Sequence, residues 1–102
     1  VAFLYVDQYT DPGVFQGAPR PVVQAPSLVA TIRIANDTTN TVSAAFDDKT
    51  RIVRVHTDSI CSIKFGTAPT ATTSTTRLAA NSTEYFGVPA GQSFKIAVIL
   101  NT

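Results

Sequence analysis

Charge is scarce in this chain, and so are the residue types that build most small chemical sites. Acidic and basic residues together make up 15% of its 102 residues, against roughly 25% in an average soluble domain. A single cysteine, Cys61, excludes an internal disulfide, and a single histidine, His56, argues against a structural zinc site. The net charge of +1 leaves no footprint for nucleic acid, which calls for a domain pI above about 9 and clustered Lys and Arg. No apolar run approaches the roughly 18 residues of a membrane span. The first residues lack the basic start and long apolar core of a secretory signal. In place of charge stand Thr, Ser and Ala, which suit dry or semi-dry contact better than open water.

The length holds one core. A chain of this size buries roughly two-thirds of the surface its unfolded form exposes, and small domains commonly add a disulfide, a metal or a partner. With the first two disfavoured, oligomerisation or docking on a larger partner is the expected supplement.

Short alternating runs bounded by Gly, Pro, Asp and Asn fill most of the chain, the pattern of antiparallel strands. Val1 to Asp7 reads as a strand. Gln8 to Ser27 carries Pro12, Pro19, Pro21 and Pro26 with Gly13 and Gly17, a composition that disfavours regular pairing. Its apolar content (Val14, Phe15, Val22 and Val23) suggests an arm towards a neighbouring subunit; the competing reading is a surface loop. Leu28 to Ala35 places Leu28, Ala30, Ile32 and Ile34 on one face. Thr41 to Asp47 is expected to turn Val42, Ala44 and Phe46 inward, and Asp47 to Lys49 to form a hairpin turn into the next strand. There Val53 and Val55 share one face, and Ile52, Arg54 and His56 the other. Cys61, Ile63 and Phe65 make the next inner row. Ala68 to Ala80 is Thr-rich, a long loop or partly a strand. After the strand around Thr83 to Val88 and a turn at Pro89 to Gly91, Phe94, Ile96, Val98 and Leu100 form the last inner row. Ala97 and Ile99 opposite imply cover on both sides, expected from an adjoining subunit or the arm. The fold expected is all-β, an antiparallel β-sandwich or jelly-roll-like barrel of seven to eight short strands. Residues 1–27 form an N-terminal strand and arm, and residues 28–102 the sandwich domain.

Candidate chemistry is thin. His56, Asp58 and Ser59 are close in sequence, but neighbouring strand-end residues diverge and no glycine-bounded nucleophile turn surrounds Ser59. Cys61 falls on an inward row, where a free thiol behaves as a small apolar side chain. Asp37, Asp47 and Asp48 lack the ligand spacing of a calcium loop and suit turns. Asn36-Asp-Thr38 and Asn81-Ser-Thr83 match the glycosylation sequon, which a chain rich in Ser and Thr produces by chance. Arg33, Arg54, Lys64 and Lys95 all fall on outward rows. They read as a solvated, edge-protecting face, or as one that meets an acidic partner. No catalytic, cofactor-binding or metal-binding residue is expected.

Three pieces of the second half carry a family resemblance. They are Arg51-Ile-Val-Arg-Val-His-Thr-Asp-Ser-Ile-Cys-Ser-Ile-Lys-Phe-Gly-Thr-Ala-Pro-Thr-Ala71, Leu78-Ala-Ala80, and Thr83-Glu-Tyr-Phe-Gly-Val-Pro-Ala-Gly-Gln-Ser-Phe-Lys-Ile-Ala-Val-Ile99. Together, over about residues 51–100, they resemble small proteins encoded by tailed bacteriophages and prophages. That group has a strand ending in a Phe-Gly-x-x-Pro-Thr-Ala loop, a Glu-Tyr-Phe strand, a Pro-x-Gly turn and a Lys-x-Ala-Val-Ile strand. The motif is structural. The resemblance implies a non-enzymatic virion component made in the host cytoplasm: foremost a capsid decoration (cement) subunit, alternatively a collar, head-tail or tail accessory subunit. Its partners would be itself, as a homo-oligomer such as a trimer, and virion proteins such as the major capsid protein. No nucleic acid, membrane, cofactor or small-molecule substrate is expected. Phe3, Tyr5, Val14, Phe15, Val22 and Val23 are the expected interface residues. A fibre-tip glycan-binding module is a further alternative, with Tyr85 and Phe86 as its aromatic pair. A cupin-type jelly roll remains open as a fold, though no His-x-His pair provides its metal site.

Overall fold

A β-branched or aromatic residue at every second position gives each strand one apolar row, and two such rows can shield each other only face to face. The computed structural model arranges the chain in this way. It describes residues 2–10, 12–15, 18–23 and 28–101, the stretches 12–15 and 18–23 by their backbone alone. Among the described residues there is no helix and there are ten strands: β1 (Ala2–Tyr9), β2 (Pro12–Phe15), β3 (Ala18–Val23), β4 (Ile32–Asn36), β5 (Thr41–Val42), β6 (Ile52–Thr57), β7 (Cys61–Gly66), β8 (Thr76–Leu78), β9 (Ser82–Gly87) and β10 (Lys95–Leu100). Eight of them form two four-stranded antiparallel sheets, β4-β1-β6-β9 and β5-β10-β7-β8, while β2 and β3 pair as a separate ribbon. The all-β sandwich is therefore the fold.

The strand order is more specific than a generic sandwich. Counted from β4 as the first strand and with β1 last, the first sheet reads first, eighth, third, sixth. The second reads second, seventh, fourth, fifth. This is the order of a jelly roll, entered one strand early. β1 takes the place of the closing strand, and the β2–β3 stretch links it to the opening one. Residues 2–9 thus belong to the sandwich as an inner strand, paired with β4 on one side and β6 on the other.

The core lies between the sheets. Leu4, Val6, Val53 and Val55 from the first sheet meet Cys61, Ile63, Leu78, Ile96 and Val98 from the second, all at most 4% exposed. Phe46, Phe65 and Phe86 form a ring cluster at one end, with centroids 6.3 Å and 5.1 Å apart in succession. The inner rows expected for residues 51–66 and 94–100 are those observed.

Elsewhere the backbone departs from the expectation for stated reasons. Gln8 to Ser27 is not irregular throughout: β1 continues to Tyr9, and Pro12–Phe15 pairs with Ala18–Val23 with a register shift between Pro12 and Val14. A two-stranded ribbon has N–H groups facing outward on both edges, where proline removes no ladder bond. The run at 28–35 is strand only from Ile32. The run at 41–47 is strand only over Thr41–Val42. There Ser43 Oγ takes the Ile96 N–H at 3.1 Å, and Phe46 N–H bonds Phe94 O one residue out of register. The shift reverses the alternation, so Val42 and Ala44 face outward and Phe46 alone enters the core. The turn at Asp47 to Lys49 is not a hairpin, because it carries the chain from the second sheet to the first.

The outer face of β10 is covered as expected, but by the chain's own loop. Ala97 and Ser62 are both 0% exposed. The loop 67–75 leaves β7, places Ala71 N–H on Asn40 Oδ1 at 2.8 Å beside the β5 edge, and returns to β8. Asn101 Nδ2 donates to both Ser62 Oγ and Thr73 O and pins the loop to the sheet.

Candidate functional site

Two polar plugs close the ends of the core, and neither is open to a ligand. At one end the Gln8 side chain, 2% exposed, accepts hydrogen bonds from Asp47 N–H and the Thr50 hydroxyl. At the other, Asn36 Nδ2 donates to Thr57 Oγ1 and Ser59 O, and the Thr57 hydroxyl donates to Ser59 O. The Cys61 thiol donates to Thr57 Oγ1 at 3.5 Å. Burial pushes the thiol up from its ordinary value, with the Thr57 contact opposing. Cys61 is a core residue, as its place on an inward row predicts.

Functional groups collect instead on the outer face of the first sheet. Register dictates the grouping. Tyr5 of β1 stands between Arg33 of β4 and His56 of β6, with Thr83 of β9 opposite His56. The next row sets Asp7 against Arg54 and Arg54 against Tyr85. Directly opposed residues on one face approach within side-chain contact. The Phe3 and Tyr5 rings meet edge to face at 6.4 Å, and Tyr5 lies 6.3 Å from the His56 ring. The Arg33 guanidinium sits 4.3 Å over the Phe3 ring, a cation–π contact worth about 0.5–1 kcal/mol at an exposed site. Arg54 pairs with Asp7 at 3.5 Å, and the Thr31 hydroxyl also donates to that carboxylate. Among the described residues Tyr85 is the most open ring, at 52% exposure. Tyr9, at the end of the same face, is buried, and burial and the Asp7 carboxylate raise its hydroxyl above the usual tyrosine value.

Of the six residues expected to form an interface, Phe3 and Tyr5 are thus brought together, half-buried, in the middle of a sheet face. Val14, Phe15, Val22 and Val23 lie on β2 and β3, and their side chains are outside the described residues. The expected basic face is two faces. Arg33 and Arg54 lie on the outside of the first sheet, while Lys64 and Lys95 lie on the outside of the second. Alternation told outward from inward for these four residues but not which sheet their strands would join. The same ambiguity hid the grouping of Arg33, Arg54, His56 and Tyr85 with Phe3 and Tyr5. The Tyr85–Phe86 pair also separates, since Phe86 turns into the core against Phe65.

The face offers rings, guanidinium groups, hydroxyls and one imidazole. His56 Nδ1 lies 2.9 Å from Thr83 Oγ1, the Asp58 carboxylate accepts Phe3 N–H, and Ser59 N–H donates to Thr57 Oγ1. His56, Asp58 and Ser59 therefore serve three different partners. Among the described residues no group of three His, Cys, Asp or Glu could hold a metal ion, and no helix is long and apolar enough to cross a membrane. Two shallow, open depressions share Ile60 and Ala80 at the end of the sandwich, lined mainly by apolar atoms. Comparison of the chain with protein families, curated proteins and solved structures finds no match.

Proposed function

We propose that this chain is a non-enzymatic structural subunit of a tailed-phage virion, a capsid decoration protein that lies on the particle surface. In this reading it contacts copies of itself and the major capsid protein through the outer face of the first sheet and the β2–β3 stretch. The supporting observation is the composition of that face. Phe3, Tyr5, Tyr85, Arg33 and Arg54 are the residue types that dominate binding energy at protein interfaces. They stand on regular strands rather than loops, which keeps their geometry fixed before contact. The jelly-roll strand order adds support, since viral capsid domains use it, although a fold by itself does not select a function. The resemblance over about residues 51–100 supplies the virion context.

The test is to purify particles and localise the subunit by electron cryomicroscopy. Regular copies on the head surface are expected, and a Tyr5→Ala/Tyr85→Ala variant should fold yet fail to decorate. Density confined to the collar or tail would select the accessory reading, and absence from particles would overturn the proposal. A second reading, a glycan-binding module at a fibre tip, is favoured by one observation: Tyr85 is open and stands opposite Arg54, itself paired with Asp7. This combination of a ring face and hydrogen-bonding groups suits a sugar.

A further inference from the structure

Natural sheets blunt their edges with short strands, bulges, proline or lysine, because an open edge is a template for another strand. Three of the four edges here follow that rule in some measure. β5 has two residues, β8 has three, and β4 carries Arg33. β9 follows it least: it runs six residues, Ser82–Gly87, in unbroken register with β6 without proline or lysine, and its one charge is Glu84.

The direction of its backbone groups follows from one bond. Val88 N–H donates to Arg51 O at 2.8 Å, in line with the β6–β9 register. In an antiparallel ladder the residues that bond the partner alternate with those that face away. Phe86, Glu84 and Ser82 therefore bond β6, and Thr83, Tyr85 and Gly87 turn their N–H and C=O groups to the free edge. No strand lies beyond them among the described residues. The side chains alternate as well. Glu84 and Phe86 share the inner row with Val55 and Val53, yet Glu84 is exposed, and among the described residues it has no ion pair.

We propose that the β9 edge binds an extended segment of another polypeptide as a fifth strand of the first sheet. This segment would carry a basic residue opposite Glu84 and an apolar residue opposite Phe86, two positions earlier in an antiparallel strand. Main-chain bonds to Thr83, Tyr85 and Gly87 supply the affinity, and the alternate side chains supply the choice of partner. Charge decides the occupant. In a β9–β9 pair between two copies, all three open residues match only about Tyr85. That register sets each Glu84 against the partner copy's aromatic Phe86 position and offers it no cation. A basic, apolar-alternating strand satisfies both positions. The inference deepens the reading above by naming how a virion partner is held, and rests on it only in taking that partner to be a protein.

The probe is a capped peptide that alternates threonine with a valine and, two residues later, a lysine, titrated into isotope-labelled full-length protein and followed by amide NMR. Saturable shifts at Thr83, Tyr85 and Gly87 with slowed hydrogen exchange are expected. Glu84→Lys should weaken binding at least tenfold and be rescued by a peptide with glutamate in place of lysine. Thr83→Pro removes one edge donor without touching the β6 ladder and should abolish binding in a folded protein. Unshifted edge amides at millimolar peptide would overturn the proposal, as would a Glu84→Lys variant that binds both peptides alike. Edge amides protected in proportion to protein concentration would also overturn it, in favour of a second copy. The two readings fail separately. Peptide binding by a protein absent from particles sinks only the virion assignment, and particles decorated by a subunit with an inert edge sink only this one.

Discussion

Gln8 and Thr50, 42 positions apart in sequence, are joined by a buried hydrogen bond of 2.8 Å from the Thr50 hydroxyl to Gln8 Oε1. The same oxygen accepts Asp47 N–H at 2.8 Å, so one side chain of β1 holds both ends of the turn that passes from the second sheet to the first. Replacing Gln8 with Leu leaves the buried Thr50 hydroxyl and the part-buried Asp47 N–H without this acceptor. The expected loss is about 1–3 kcal/mol, the desolvation cost of one buried orphaned group. Urea unfolding should show a lower midpoint with an unchanged slope.

The opposite plug is tested at Thr57. Its hydroxyl bonds Ser59 O and receives Asn36 Nδ2, Ser59 N–H and the Cys61 thiol. Thr57→Val preserves shape and removes all four contacts. Asn36 Oδ1 is already buried without a partner, and the change adds Ser59 N–H and the Cys61 thiol to the groups without one. A destabilisation of about 1–3 kcal/mol is expected, measured by calorimetry, whereas Ser59→Ala, which leaves the main-chain partners in place, should cost far less.

Stability should fall in alkali for two identifiable reasons. Burial raises the Cys61 thiol above its ordinary 9.0, and burial with the Asp7 carboxylate raises the Tyr9 hydroxyl above 10.0. Above these values the unfolded chain releases protons that the folded chain retains, so the contribution is complete below pH 9.0 and is lost as pH rises through the folded values. Cys61→Ala and Tyr9→Phe should each flatten part of that decline in denaturant midpoints taken from neutral pH upward. A thiol reagent should label Cys61 at neutral pH only at the rate of unfolding, because the group is 0% exposed and little ionised.

Ala97 tests the lid over the second sheet. Its side chain faces out from β10 and has no free surface, on the sheet face where Asn101 ties the loop 67–75 to Ser62. Ala97→Leu should overpack the seam at a cost of about 1–3 kcal/mol. Amides of Ala71 and Thr75, both bonded within the loop or to Asn40, should lose hydrogen-exchange protection before the core does.

The outer face of the first sheet should behave in the opposite way. Arg33→Ala removes only an exposed cation–π contact with Phe3 and should lower stability by at most about 1 kcal/mol. Its effect on attachment to particles should be much larger than its effect on the unfolding midpoint. Equal losses in both measurements would mean that the face serves folding rather than adhesion.

Particular residues show how far the chain alone could be read. Val53, Val55, Cys61, Ile63, Ile96 and Val98 were legible as inner rows, because a strand exposes alternate residues to opposite sides whatever it pairs with. The all-β class and the burial of Cys61 follow from that rule. Gln8 was hidden inside a proline-rich stretch, and Asn36 looked like a turn residue. Each is buried only because a donor far along the chain arrives beside it. Phe46 kept its inward place and Val42 lost it, since a serine side chain at Ser43 stands in for a backbone acceptor and shifts the register.

What the amino-acid order determined, then, is local: where most strands run, which rows are apolar, and that no internal disulfide supports the fold. Only the tertiary structure decided which strand lies beside which. Pairing depends on hydrogen bonds between distant segments, and period two is the same in every strand. That choice set Arg33 and Arg54 on one face and Lys64 and Lys95 on another, gathered Phe3, Tyr5, His56 and Tyr85, and left the backbone of β9 open at the edge.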